Sequence, residues 1–308
     1  MMNRRVAIRI STLAVVFLAL VVGQLLAQTN GAGTNAFSFV VAGDMRNYIG
    51  PLHGGKRQFD GACEAIKQVG AGEFMIVPGD FDPPAPMRAM VDRYLGTNYV
   101  CYFVVGNHEV ESAANMNWVH HWAQTGIPHL VQRGPAGAEL TEYSFDFGNS
   151  HFVALSDYFD GKTDTSKKRG ISDASMAWLE KDLAATRQPL IWVICHEPLQ
   201  SLPDMDNGRV RHGDDSLVRD DARRERFVAL LNKFHVRTLL CGHTHDCSVE
   251  KIQGIWQVDS GHARGAGDPG APSTFLEIRI SNERAWVDIY RADAKGENYR
   301  LRKTVELK

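Results

Sequence analysis

The chain has 308 residues, with 34 Lys and Arg against 36 Asp and Glu and a formal charge of −2. That length buries a sizeable core, as one large domain or two small ones. Ordinary apolar (44%) and charged (23%) fractions exclude disordered and fibrous classes, and the lack of a basic excess argues against nucleic acid as a partner.

Residues 1–27 read as a secretory signal. Arg4, Arg5 and Arg9 precede an apolar stretch over 10–23, and Ala27 stands just before Gln28. Leu25 departs from the small residue preferred two places before Ala27. The alternative is an uncleaved membrane anchor, although a span usually needs roughly 20 apolar residues. Cleavage removes three arginines and no acid, leaving 31 basic against 36 acidic residues and a formal charge of −5. The expectation is an exported protein, secreted or periplasmic, touching a membrane only through this segment if it is retained. Oligomeric state is left open.

Residues 28–36, rich in Gly, Asn and Thr, read as a linker, and 37–308 as one domain. A strand over 37–42 stops at Gly43-Asp44. Phe59, Ala62, Cys63 and Ile66 then mark one face of a helix. A strand over 74–77 is broken by Pro78-Gly79, and prolines 83, 84 and 86 open a helix, since its first turn tolerates proline. A strand over 99–105 ends at Gly106, and 111–125 reads as a helix carrying Trp118 and Trp122. Residues 143–147 and 151–155 form a hairpin about Gly148-Asn149.

Ser172 or Asp173 caps a helix running to about residue 187, and a buried strand over 190–195 ends at His196. Residues 199–221 form a long Asp-rich loop, either a site rim or a solvated connection. It lacks the spacing of a calcium loop. Asp221 caps a helix with Phe227, Leu230, Leu231 and Phe234 on one face, and a strand over 236–240 delivers Gly242-His243. Segments 255–259, 274–280 and 285–290 read as antiparallel strands. Strand–helix alternation followed by strand-rich segments predicts two mixed sheets flanked by helices. Five cysteines allow at most two disulfides. A Cys241–Cys247 bridge would brace the turn between them, but small buried thiols are the favoured reading.

Five short clusters follow these apolar runs: Gly43-Asp44, Pro78-Gly79-Asp80, Gly106-Asn107-His108-Glu109, Cys195-His196-Glu197-Pro198 and Gly242-His243-Thr244-His245. A glycine lets the chain leave a strand sharply, by φ > 0 or by close backbone approach. Asp, Asn and His donors together suit Mn, Fe or Zn better than Ca, which prefers an all-oxygen shell. His243 and His245 would face opposite ways in a flat strand. On a turn they can reach two neighbouring ions.

The ordered set resembles the calcineurin-like metallophosphoesterase superfamily over residues 37–265, with purple acid phosphatases as distant members. The resemblance implies a four-layer α/β/β/α sandwich with two divalent or trivalent transition-metal ions at the strand C-terminal ends. It implies that Asp44, Asp80 and His245 hold the first ion. Bridging Asp80, Asn107, His196 and His243 hold the second. It also implies that a hydroxide bridging the ions attacks a small phosphate ester, and that His108 contacts phosphate and assists the leaving group.

Two positions depart from the pattern. Arg46 stands where the family's first cluster has a histidine ligand, and a guanidinium cannot bind a cation. After Asp80, Pro83 stands where the purple acid phosphatases have a tyrosine ligand. The first ion is therefore expected to be held weakly. Arg46 either clamps a phosphate oxygen through its planar fork or pairs with a carboxylate such as Asp82; His53 is a minor candidate for the missing ligand. His262 and Arg264 are further candidates for substrate binding, against a plain mobile loop. Glu109 either orients His108 or is an ordinary surface residue. His120 and His121, His129, His151, His212 and His235, and the run Lys167-Lys168-Arg169, read as structural or solvated. The leading reading is an exported phosphoesterase of phosphomonoesters or small diesters. The alternatives are a cyclic-nucleotide or nucleotide phosphodiesterase using the same site, and a metal-poor relative that binds phospho-ligands without turnover.

Overall fold

The computed structural model describes residues 35–46 and 57–308. The predicted signal, nearly all of the linker and His53 lie outside the described residues. No helix among the described residues is long and apolar enough to cross a membrane.

Two sheets stack face to face. The first has the order β13-β12-β11-β1-β2-β3, where β1 is Ala36–Val41, β2 Phe74–Val77, β3 Val100–Phe103, β11 Thr274–Ser281, β12 Arg284–Arg291 and β13 Arg300–Leu307. The second has the order β4-β5-β6-β7-β8-β10-β9, where β4 is Leu130–Arg133, β5 Tyr143–Phe147, β6 Ser150–Ala154, β7 Leu190–Ile194, β8 Thr238–Cys241, β9 Cys247–Ile252 and β10 Ile255–Ser260. Strands β1, β2 and β3 run parallel, as do β6, β7, β8 and β10. Two mixed sheets between helices are the architecture expected.

Alternation along each strand explains the layering, because successive side chains point to opposite faces. Phe39, Phe74 and Tyr102 of the first sheet meet Phe145, Phe152 and Trp192 of the second in a shared core. Their neighbours Val40, Met75 and Phe103 face outward onto Phe59, Ile66, Met87 and Val119 of the helices Phe59–Val69, Pro84–Leu95 and Ala113–Thr125. Val153, Val193 and Leu239 likewise cover Leu179, Phe227 and Leu231 of the helices Asp173–Ala185 and Asp221–Lys233. A parallel strand covered on both faces is apolar throughout, which is why 74–77 and 190–194 carry no polar alternation.

Several expectations shift. The 111–125 helix begins at Ala113, capped by Ser112, after a separate turn Asn107–Val110. Asp220, not Asp221, caps the helix at 221, accepting from the Arg223 amide. Strand β10 runs parallel to β8, so 255–259 is not purely antiparallel; it meets β9 antiparallel on its other side. Strands β4, β9 and β13 were not anticipated: β4 and β13 are largely exposed, edge-lying and polar, and lack a hydrophobic run. All five cysteines are buried free thiols, so no Cys241–Cys247 bridge forms.

Candidate metal centre

The five clusters meet at the C-terminal ends of β1, β2, β3, β7 and β8. Backbone bonds pin the turns together: Asp44 N donates to Gly79 O at 3.1 Å and Gly242 N to His196 O at 3.0 Å. Asp44, Asp80, His243 and His245 all adopt left-handed φ, at 51°, 54°, 71° and 62°. Such a backbone costs a non-glycine residue about 1–3 kcal/mol and persists where the surroundings over-determine it. Here they do. Asp44 Oδ2 accepts from His243 N at 2.9 Å, and Asp80 Oδ1 accepts from His108 N at 3.1 Å. The preceding glycines serve close approach: a Cβ on Gly106 would collide with Asp80 Oδ1, and one on Gly242 with Asp44 Oδ2.

The tautomers decide what the site can do. His196 Nδ1 donates to Pro78 O at 2.7 Å and His243 Nε2 to Asp215 O at 2.8 Å, because a carbonyl can only accept. The remaining nitrogens, His196 Nε2 and His243 Nδ1, therefore carry lone pairs, yet they face each other at 3.2 Å. Asn107 Oδ1 lies 3.2 Å and Asp80 Oδ1 3.4 Å from the same His196 Nε2. Four acceptors turned on one point fit a cation. Burial pushes His196 down to about 4 and lowers His243, so both rings are neutral at pH 7 and able to ligate.

Beside this point lies a second, poorer set. His245 Nδ1 donates to Asp268 Oδ2 at 2.8 Å, which leaves Nε2 facing Asp44 Oδ1 at 3.5 Å. That Asp44 oxygen is buried without a hydrogen-bond partner. Burial, and then the Asp80 charge, raise the Asp44 carboxyl well above its usual range. Asp80 is raised to about 6 by burial, opposed by the charge and amide of His108. Donor atoms of Asp44, Asp80 and His196 lie within 4.8 Å of one another, so the two sets adjoin. At position 46 the guanidinium pairs with Asp82 (Nε–Oδ1 3.2 Å) and touches His108 Nε2. It offers this second set no lone pair. Among the described residues the donors fit one ion fully and a second only in part.

Residues 37–247 match the sequence model of the calcineurin-like phosphoesterases. The chain belongs to this family, hydrolases of phosphoric ester bonds. Similar solved structures include a dimetal phosphatase from Danio rerio (15% identity, TM-score 0.57, covering 88% of this chain and 98% of that one). GAP50, the anchor in the inner membrane complex of Plasmodium, aligns at 14% identity and TM-score 0.57, over 88% of each chain. PhoD aligns at 11% identity and TM-score 0.59, over 90% of this chain and 70% of its own. Likeness at such identity concerns the fold. No curated protein is detectably similar in sequence.

In this phosphoesterase buried carboxylates hold the ligand turns. Glu109 is fully buried. Its Oε2 accepts from the Asp80 and Gly106 amides at 2.9 and 2.8 Å, and its Oε1 from the Phe81 amide at 2.9 Å. It is neither a surface residue nor the partner of His108 Nδ1, which meets Glu111 Oε2 at 2.9 Å. Asp157 accepts from the His196 and Glu197 amides at 2.7 and 2.9 Å. Asp268 pairs with His245 Nδ1 and is itself held by Arg209 at 3.0 Å. Of these only Glu109 was named from the sequence, and in another role; Asp157 and Asp268 were not singled out, because a lone acid in a loop carries no spacing signal.

Other candidates fall apart from the centre or change role. His262 is fully buried, with Nε2 donating to Ala271 O at 3.0 Å and Nδ1 accepting from Arg264 N at 3.2 Å, so neither nitrogen is left for a substrate. His108 sits on the rim, with Nε2 3.6 Å from Asp80 Oδ2. The Asp-rich loop proves to be a rim: His212 stacks on His243 with ring centres 4.4 Å apart, and Arg211 touches His245 Nδ1. Arg169, expected in a solvated turn, pairs at 2.6 Å with Asp215, whose backbone carbonyl holds His243. His120 pairs with Asp164 at 2.8 Å, away from the ligand turns.

Proposed function

We propose that the chain is an exported, metal-dependent hydrolase of small phosphate esters, with Asp44, Asp80, Asn107, His196, His243 and His245 as metal ligands. The observation that carries this reading is the convergence of four acceptor atoms, from Asp80, Asn107, His196 and His243, with both imidazole tautomers set by backbone carbonyls. Transition-metal ions held there would acidify water and polarise a phosphoryl oxygen. The chain's own residues do the rest. Arg46 and Arg264 offset charge on the equatorial phosphate oxygens. His108, on the rim beside Arg46, donates a proton to the leaving oxygen, and Glu111 orients its ring. The signal-like residues 1–27 support export.

The test combines metal content by elemental mass spectrometry with hydrolysis of a chromogenic phosphomonoester and phosphodiester in added manganese. Bound metal with turnover is expected. Arg46 in the place of a ligand favours one other reading, a metal-poor protein that binds phospho-ligands without cleaving them. Absence of turnover with manganese present would select it.

A further inference from the structure

The two halves of the centre are unequal, and the inequality has a direction. The set formed by Asp80, Asn107, His196 and His243 is complete and neutral at its imidazoles. The set formed by Asp44 and His245 shares Asp80, and among the described residues no further donor completes it; Arg46 stands instead beside His108 and Asp82. Guanidinium charge crowds that side. Arg46 touches His108 beside Asp80, and Arg211 touches His245 and lies 3.2 Å from Asp268 Oδ2. Asp82 offsets Arg46, and Asp268 offsets Arg211.

Arg264 stands differently. It is half-buried, and its guanidinium has no ion pair or hydrogen bond among the described residues. Burial, and then the neighbouring Arg46 charge, work against its protonated form, with Arg211 adding to the effect; the Asp268 and Asp82 charges, themselves paired with Arg211 and Arg46, oppose it only in part. A half-buried arginine beside two others, without a carboxylate of its own, is arranged for an anion that arrives from outside. A planar guanidinium suits phosphate oxygens in particular. The same charges repel a metal cation approaching Asp44 and His245.

We propose that the centre keeps one resident ion, at Asp80, Asn107, His196 and His243, and that the Asp44–His245 side takes its ion together with a phosphate group held by Arg46, Arg211 and Arg264. The proposal rests on the phosphoesterase reading only in naming phosphate as the anion. A phosphate dianion cancels the guanidinium charge and adds the oxygen donor that Arg46 cannot supply. Ion and phosphate then bind with positive coupling, and linkage requires each to raise the other's affinity by the same factor. The substrate class follows: esters with a terminal phosphate dianion recruit the second ion, and diesters with a single charge do so poorly.

The experiment titrates manganese into the metal-depleted full chain by calorimetry, with and without inorganic phosphate, and counts bound metal after desalting. One ion per chain is expected without phosphate, and a second with it, its affinity raised at least tenfold. Saturating manganese should tighten phosphate by the same factor. Arg264→Gln should keep the first ion and lose the phosphate-driven second. Arg46→His should take two ions without phosphate. Two ions of similar affinity in the wild type without phosphate would overturn the proposal, as would one ion or none in both arms. Failure of the hydrolase reading looks different: no ester is cleaved while the phosphate-dependent second ion is still counted.

Discussion

Replacing Glu109 with glutamine tests whether the ligand turns are held by one buried carboxylate. Its two oxygens accept three backbone amides, from Asp80, Phe81 and Gly106, at 2.8–2.9 Å. A glutamine keeps the shape but offers one oxygen. Placed at the Oε2 position, that oxygen retains the Asp80 and Gly106 bonds and turns its NH2 group onto the Phe81 N–H. One backbone hydrogen bond is lost, at about 0.5–1.5 kcal/mol, and a buried N–H is left unpaired, at roughly 1–3 kcal/mol. These overlap, so the expected loss is about 1–4 kcal/mol. Urea denaturation of the metal-depleted protein measures it, with the m-value checking that the transition remains two-state. Because the same turns place Asp80 and Asn107, manganese affinity should also fall at least tenfold. Glu109→Ala leaves all three amides unpaired and should be worse on both counts. A Glu109→Gln protein within 0.5 kcal/mol of wild type, with unchanged metal affinity, would refute the account.

His108→Ala should lower turnover about 10²–10⁴-fold, the usual worth of a general acid, with metal content nearly unchanged; matching loss of metal would make His108 a ligand instead. Asp80→Asn should abolish activity and reduce bound metal, and retention of two tightly held ions would contradict its place between the sets. Glu142 is buried, and burial raises its carboxyl to about 8 from an ordinary value of 4.5. An acid harder to ionise when folded contributes full stability below about pH 4.5 and loses it as pH rises towards 8, at ~1.4 kcal/mol per unit. Glu142→Gln should therefore flatten the fall in melting temperature between pH 5 and 8.5. A variant that follows the wild-type curve would refute that origin.

Sequence legibility was uneven, and particular residues show why. Asp44, Asp80, Asn107, His196, His243 and His245 could be listed from sequence because each ends an apolar strand beside a chain-reversing residue. The pairing of Arg46 with Asp82 was one of two open readings, and geometry shows it together with the His108 contact. Glu109 could not be read correctly: it adjoins His108 in sequence, but the turn at Asn107–Val110 points it inward, opposite to that ring. Asp268 and Arg211 were invisible, each lying in a polar loop more than twenty residues from its partner His245.

By itself the sequence determined the period of most strands and helices, the residues in which those strands end, and hence the two-sheet architecture and the candidate donor set. These are local properties, fixed by side-chain alternation, turn chemistry and the lone pairs a residue type carries. Tertiary structure alone decided which carboxylates hold which amides, which nitrogen of each imidazole is free, and that the half-buried Arg264 has no side-chain partner among the described residues. A hydrogen bond depends on distances of a few tenths of an ångström between groups up to 199 positions apart, as with Asp44 and His243. Only the packed sheets bring such groups together.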